Sequence, residues 1–134
     1  MYGKIVVADD DRVTLQLLYQ VLVDNSFYVY SAQDGQAALE LVKNFLPDIL
    51  ISDLVLPKLD GIELCKKVKQ DPDLRGTKVI MMTAVYKGSA FRPMARDCGA
   101  DAYIEKPINV TGLLEKIYKL LAETAPDRKK ENPE

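Results

Sequence analysis

The length, composition and charge of the chain indicate one globular domain and exclude several classes of function. Its 134 residues are 48% hydrophobic and 28% charged, with 18 Lys and Arg against 20 Asp and Glu, so the chain lacks the basic excess of a general nucleic-acid binder. The sequence contains no His, which excludes Ser-His-Asp and Cys-His catalysis, His-ligated zinc and a phosphohistidine on this chain.

Short apolar runs alternate with longer amphipathic segments in chain order. The pattern predicts strands at residues 5–8, 27–30, 49–52, 79–82 and 102–104, and helices at residues 12–24, 37–45, 62–70, 89–98 and 110–121. The apolar content falls abruptly after residue 122. We therefore expect one domain over residues 1–122 and a flexible C-terminal tail or linker over residues 123–134.

Five strand–helix pairs predict an α/β fold, a (βα)5 doubly wound parallel sheet with helices on both faces. The second strand is the most polar and is flanked by turn signals, so it is expected at an edge. The expected strand order is 2-1-3-4-5, the flavodoxin-like arrangement. In such a sheet the functional site lies beyond the carboxyl ends of the strands, at the switch point between strands one and three.

Polar residues follow the predicted strands at that edge. Asp9 and Asp10 follow the first strand, Asp53 follows the third, Thr83 ends the fourth and Lys106 follows the fifth. Clustered carboxylates repel one another unless a cation balances them, and oxygen ligands without His or Cys suit Mg²⁺. With a hydroxyl and an ammonium beside them, these groups suit phosphoryl transfer onto a carboxylate.

Four motifs in these places resemble those of the bacterial two-component response-regulator receiver domain. They are residues 5–11 (Ile-Val-Val-Ala-Asp-Asp-Asp), 51–61 (Ile-Ser-Asp-Leu-Val-Leu-Pro-Lys-Leu-Asp-Gly), 82–84 (Met-Thr-Ala) and 105–107 (Glu-Lys-Pro). The resemblance covers about residues 4–121. It implies a phosphoprotein that accepts a phosphoryl group on Asp53 and changes its partner-binding face as a result.

The resemblance also implies the metal ligands. Asp10 matches the acidic ligand of Mg²⁺, Asp9 lies close by in a direct or water-mediated role, and Asp53 and the backbone carbonyl of Val55 complete the protein ligands.

Three further residues match the residues that respond to phosphorylation. Thr83 matches the hydroxyl residue that moves towards the phosphoryl group, and Tyr103 matches the aromatic residue that turns inward with it. Lys106 matches the lysine that pairs with the phosphoryl oxygens, and the Lys106–Pro107 bond is often cis in the family.

The partners implied are a sensor histidine kinase or histidine phosphotransfer protein and a downstream effector protein or domain. The output face would be formed by the fourth predicted helix, the fifth strand and the last helix, with a homodimer through it as a further expectation. Its surface residues would include Tyr86, Lys87, Arg92, Arg96, Lys116 and Lys119. No direct nucleic-acid or membrane partner and no enzymatic turnover are expected, and the chain is either a single-domain regulator or a receiver from a longer protein.

The same motifs bear on three other functions. A haloacid-dehalogenase type of phosphatase needs a second Asp where Val55 stands, and a flavodoxin-like redox module needs a phosphate loop that is not acidic after the first strand. A receiver that binds partners without being phosphorylated remains the alternative, although nothing in the motifs favours it directly.

The sequence departs from the usual receiver pattern at three positions. Arg12 stands where Pro is common, and it places a cation near the expected site. Val55 and Val85 lie two residues after Asp53 and Thr83 and are both apolar. Since neither side chain orients water at an acyl phosphate, we expect slow autodephosphorylation.

Several other residues have structural explanations. Asp11 is expected to cap the first helix, and Asp60 with Gly61 to form a turn. Cys65 and Cys98 are expected to be buried free thiols, which fits a cytoplasmic, reducing location. No apolar run approaches the roughly 18 residues of a membrane span, and residues 1–7 lack the layout of a signal peptide.

Overall fold

A computed structural model describes the backbone of residues 3–84 and 98–131 and the side chains of residues 3–83 and 98–123. Its strands are β1 (Gly3–Ala8), β2 (Phe27–Ala32), β3 (Ile49–Asp53), β4 (Lys78–Ala84) and β5 (Ala102–Lys106). Its helices are α1 (Arg12–Asp24), α2 (Gly35–Phe45), α3 (Gly61–Gln70) and α4 (Val110–Glu131). The helix predicted at residues 89–98 lies outside the described residues except for Cys98, as do Val85, Tyr86, Lys87, Arg92 and Arg96.

The five strands form one parallel sheet in the order β2-β1-β3-β4-β5, which confirms the predicted topology and the edge position of β2. The register brings the carboxyl ends of the strands to one edge. Ala8 pairs with Ser52, Asp53 pairs with Met82, and Thr83 pairs with Glu105. Residues that follow these strands therefore meet at the same edge of the sheet.

The two faces of the sheet bury separate apolar clusters because successive strand residues point to opposite faces. Val6, Leu50 and Met81 belong to the cluster that includes α2 and α3, whereas Val7, Ile51 and Met82 belong to the cluster that includes α1 and α4. All six strand residues are fully buried. Burial on both faces explains why the sequence shows continuous apolar runs here instead of alternation.

Each of the four helices that the structure describes is preceded by an Asp or Asn whose side chain accepts a backbone hydrogen bond from the first turn. Asp11 caps α1 and Asp60 caps α3, so Asp11 has the structural role predicted for it. Asp34 accepts the N–H of Ala37 at 2.7 Å, and Asn109 accepts the N–H of Gly112 at 2.9 Å.

The cysteines are buried free thiols, as expected. The Cys65 thiol donates to the backbone carbonyl of Cys98 at 3.4 Å, and the Cys98 side chain and burial both raise the pKa of Cys65.

The last helix is longer than predicted. We expected it to end at Leu121, but α4 continues to Glu131. Residues 122–131 are mostly Ala, Glu, Arg and Lys, which favour helix without needing an apolar face; the fall in apolar content was therefore a poor signal of the helix end. The assignment of residues 123–134 as a linker stays a prediction. None of the helices in the described part of the chain is long and apolar enough to cross a membrane.

Candidate functional site

Three carboxylates meet where β1 and β3 end. Oxygen atoms of Asp9, Asp10 and Asp53 all lie within 4.8 Å of one another. Asp9 is fully buried, the side chain of Asp53 is 16% exposed, and Asp10 is exposed. The cluster therefore opens to solvent on the side of Asp10.

Lys106 reaches this cluster from the end of β5. Its Nζ donates to Oδ2 of Asp9 at 2.7 Å and to Oδ2 of Asp53 at 2.8 Å. Burial alone lowers the pKa of Lys106, but the hydrogen bonds to Asp53 and Asp9 act in the opposite direction and the net pKa is raised above 10.5. The side chain is therefore an ammonium at neutral pH, and it reaches from β5 past the end of β4 to the ends of the adjacent strands β3 and β1.

The second oxygen of each bridged carboxylate accepts a backbone N–H. Oδ1 of Asp9 accepts the N–H of Asp11 at 2.9 Å, and Oδ1 of Asp53 accepts the N–H of Val55 at 3.3 Å. Both carboxylates are thus oriented by the first residues of the loops that follow their strands. The Val55 side chain is 63% exposed.

Thr83 presents a buried hydroxyl near the end of β4. The residue is 1% exposed, and its Oγ1 has no hydrogen-bond partner among the residues that the structure describes. A buried hydroxyl without a partner costs on the order of 1–3 kcal/mol, so an acceptor that arrived within reach would be bound favourably.

Tyr103 lies on β5, opposite Met81 of β4. It is half-buried and packs against the cluster on the α2 and α3 side of the sheet. No hydrogen bond joins the Thr83 hydroxyl to the three carboxylates within the described set. The Lys106–Pro107 peptide bond is cis.

The donor set fits a hard divalent cation. All three candidate side-chain ligands offer carboxylate oxygens, which Mg²⁺ prefers over nitrogen or sulfur. Three carboxylates and the one ammonium of Lys106 leave a local formal charge of −2 (−3 + 1), which one divalent cation would balance.

Comparison with known proteins agrees with this geometry. Residues 5–118 match the family model described as the response regulator receiver domain. The chain belongs to this family. Receiver domains are signalling modules that bind Mg²⁺ at an acidic cluster, and the grouped carboxylates of Asp9, Asp10 and Asp53 are such a cluster.

Among curated proteins, the chain is similar to "Response regulator MprA" from Mycobacterium sp. (strain KMS), with 36% identity over 130 residues. The match covers 97% of this chain and 55% of that protein, so the chain spans about half the length of the curated relatives it matches.

Solved structures of other receiver domains share the fold. The signal receiver domain of a signal transduction histidine kinase from Syntrophus aciditrophicus has a TM-score of 0.83 and 29% identity, and the match covers 90% of this chain and 91% of that one. The chemotaxis response regulator CheY4 of Vibrio cholerae has a TM-score of 0.81 and 26% identity, with coverage of 88% and 98%.

The structure brings together four of the predicted site residues, Asp9, Asp10, Asp53 and Lys106. Sequence reasoning missed the support beneath the loop that carries Val55. That support comes from Gly35, which lies against the backbone of Pro57 and Leu59, and no local sequence pattern indicates a contact between segments this far apart.

Proposed function

We propose that this receiver domain takes a phosphoryl group from the phosphohistidine of a sensor histidine kinase or a histidine phosphotransfer protein onto Asp53. The observation that supports this most directly is the pair of hydrogen bonds from Lys106 to Asp9 and Asp53, beside the exposed carboxylate of Asp10. In the transfer the N–P bond of the donor breaks and a bond from phosphorus to an Asp53 oxygen forms.

Each residue has a distinct part in that proposal. Mg²⁺, bound by Asp9, Asp10, Asp53 and the Val55 carbonyl, would neutralise charge on the transferred group. Asp53 supplies the attacking oxygen, held in orientation by the N–H of Val55. Lys106 already donates to Asp53, and after the transfer its ammonium would donate to the negatively charged phosphoryl oxygens.

Thr83 and Tyr103 would transmit the change. The Thr83 hydroxyl is buried and has no acceptor in the described part of the chain, so a phosphoryl oxygen on Asp53 would offer it one. Movement of Thr83 would let Tyr103, half-buried on the neighbouring strand, turn inward. Phosphorylation would in this way shift the balance between two conformations of the output face.

The wider role is proposed on the same basis. The signal would pass to an effector protein or domain, with a homodimer through the face formed by β5, α4 and the helix predicted at residues 89–98. Relatives of about twice the length are compatible with a receiver that acts on an effector domain joined to it. A cytoplasmic location fits a partner kinase that donates its phosphoryl group inside the cell.

The test is intact mass after incubation with Mg²⁺ and acetyl phosphate or phosphoramidate. The wild-type chain should gain one phosphate, and the gain should disappear in EDTA and in Asp53→Asn. Asp73→Asn makes the same chemical change at an exposed residue outside the site and should behave as wild type. An adduct that persists in Asp53→Asn would overturn the assignment. If no adduct forms with these donors or with a phosphorylated kinase, the receiver binds partners without phosphorylation.

A further inference from the structure

The loop that carries Val55 rests on the N-terminus of α2. The Pro57 carbonyl accepts the N–H of Gly35 at 3.1 Å and the N–H of Leu59 at 2.7 Å. Gly35 is the first residue of α2, so its N–H is one of the donors that a helix cannot satisfy internally. The loop thus supplies an acceptor that the helix needs, and the helix fixes the middle of the loop.

The contact is too close for any other residue at position 35. A Cβ built on Gly35 would lie 1.6 Å from the carbonyl oxygen of Leu59 and 2.6 Å from its carbonyl carbon. Since both are backbone atoms, no rotation of a side chain could relieve the overlap. A methyl group here would therefore force a shift between the backbone of α2 and the backbone of the loop.

The far end of the same loop is held equally closely. A Cβ on Gly61 would lie 1.9 Å from the carbonyl oxygen of Asp53, and Leu54 and Leu56 are buried in the apolar cluster. Lys58 has a φ of +69°, a conformation that costs a residue with a side chain about 1 kcal/mol or more. The loop is therefore held between α2 and α3. We expect a displacement at Leu59 to be transmitted along the loop to Val55.

We propose that Gly35 is a positioning residue for the metal site, acting through the loop that carries the Val55 carbonyl. This inference rests on the proposed Mg²⁺-dependent function. The carboxylates of Asp9 and Asp53 are fixed by β1, β3 and Lys106, so the loop carbonyl is the ligand that a change at position 35 would move.

The identity of the cation gives a specific readout. Mg²⁺ demands nearly ideal octahedral geometry at about 2.0–2.1 Å, whereas Ca²⁺ accepts variable geometry at about 2.3–2.6 Å. A displaced carbonyl should therefore weaken Mg²⁺ binding much more than Ca²⁺ binding. A general loss of structure would weaken both by a similar factor.

The experiment is an NMR titration of the Asp10 and Val55 amide signals with Mg²⁺ and with Ca²⁺. Gly35→Ala should raise the Mg²⁺ dissociation constant on the order of tenfold, the scale found when support around a metal site is removed, and should raise that of Ca²⁺ clearly less. Gly76→Ala makes the same chemical change where a Cβ would meet nothing within 4 Å, and it should match wild type for both cations.

A second variant approaches the contact from the loop. Leu59→Ala removes apolar contacts between the loop and the core without adding an atom. If Gly35→Ala does not fold, the Mg²⁺ and Ca²⁺ titrations are made on Leu59→Ala instead. Equal Mg²⁺ affinity in a folded variant and wild type, or equal weakening for both cations, would overturn the inference. Failure of the wild-type chain to bind Mg²⁺ would instead overturn the proposed function, and the positioning role with it.

Discussion

At the scale of single residues, the chemistry proposed for Asp53 depends on the groups that bond to its carboxylate. Asp53 is bonded to Lys106 and to the N–H of Val55. Val55 thus holds Asp53 through its backbone N–H and presents an apolar side chain to solvent. Because Val55 is 63% exposed, it shields Asp53 little from water. We expect it to slow hydrolysis of a phosphoryl group on Asp53 mainly because it has no polar group to orient the attacking water.

Val55→Asn should shorten the lifetime of the phosphorylated chain several-fold, because an amide beside Asp53 can orient a water molecule for attack. The decay of the phosphorylated mass after removal of the donor measures this lifetime. Val23→Asn introduces the same amide at another exposed valine, near the end of α1, and should leave the lifetime unchanged. A lifetime in Val55→Asn equal to that of wild type would contradict the hypothesis.

At the scale of the elements, α1 begins immediately after the acidic cluster, and the Asp11 side chain that caps it bonds to the first turn of the helix. The Thr14 hydroxyl donates to Oδ2 of Asp11 at 2.7 Å, and the N–H of Val13 donates to Oδ1 at 3.3 Å. The hydrogen bond from Thr14 makes the largest contribution to lowering the pKa of Asp11 below 3.8. A folded-state pKa below the unfolded value means that this cap stabilises the fold above pH 3.8 and loses its contribution as the pH falls further.

Thr14→Val should therefore move the pKa of Asp11 back towards 3.8. The carboxyl carbon shift of Asp11, followed by NMR from pH 6 to pH 2, gives the value directly. Thr111→Val, at an exposed position in the first turn of α4, is the matched control and should leave Asp11 unaffected. An unchanged pKa in Thr14→Val would mean that the backbone donors alone hold the cap.

Much at this scale could be predicted from local pattern. Continuous apolar runs such as residues 49–52 indicated buried strands, and Asp11 was recognisable as a cap because its residue type and place fit one. The end of α4 was missed because helix propensity continues after apolar burial stops. The contact between Gly35 and Leu59 and the burial of the Thr83 hydroxyl depend on how distant segments pack, which no local pattern contains.

At the scale of the whole molecule, the cluster of Asp9, Asp10 and Asp53 concentrates negative charge at one edge of the sheet. Lys106 offsets part of it. Without a cation the remaining repulsion opposes folding, and a bound cation removes it. The stability of the whole chain is therefore coupled to occupancy of one small site.

Asp10→Asn should be more stable than wild type in EDTA, by about 0.5 kcal/mol, the scale of interactions between exposed charges. Wild type should gain about 2.7 kcal/mol when Mg²⁺ is at 100 times its dissociation constant, and the variant should gain less at the same concentration. Urea unfolding in EDTA and in Mg²⁺ measures both effects. Glu40→Gln, an exposed change on α2, should retain the wild-type gain, and an Asp10→Asn variant less stable than wild type in EDTA would contradict the argument.

Lys106 lies 97 positions after Asp9 and 53 positions after Asp53 in the chain, yet it bonds to both carboxylates. During synthesis on the ribosome, Asp9 and Asp53 emerge long before their lysine, and their carboxylates lack this counter-charge until β5 joins the sheet. A truncated or partly folded chain that lacks β5 is therefore also without the ammonium on which the proposed transfer relies. In the proposed transfer, a chain would therefore become competent to receive a phosphoryl group only after β5 has joined the sheet.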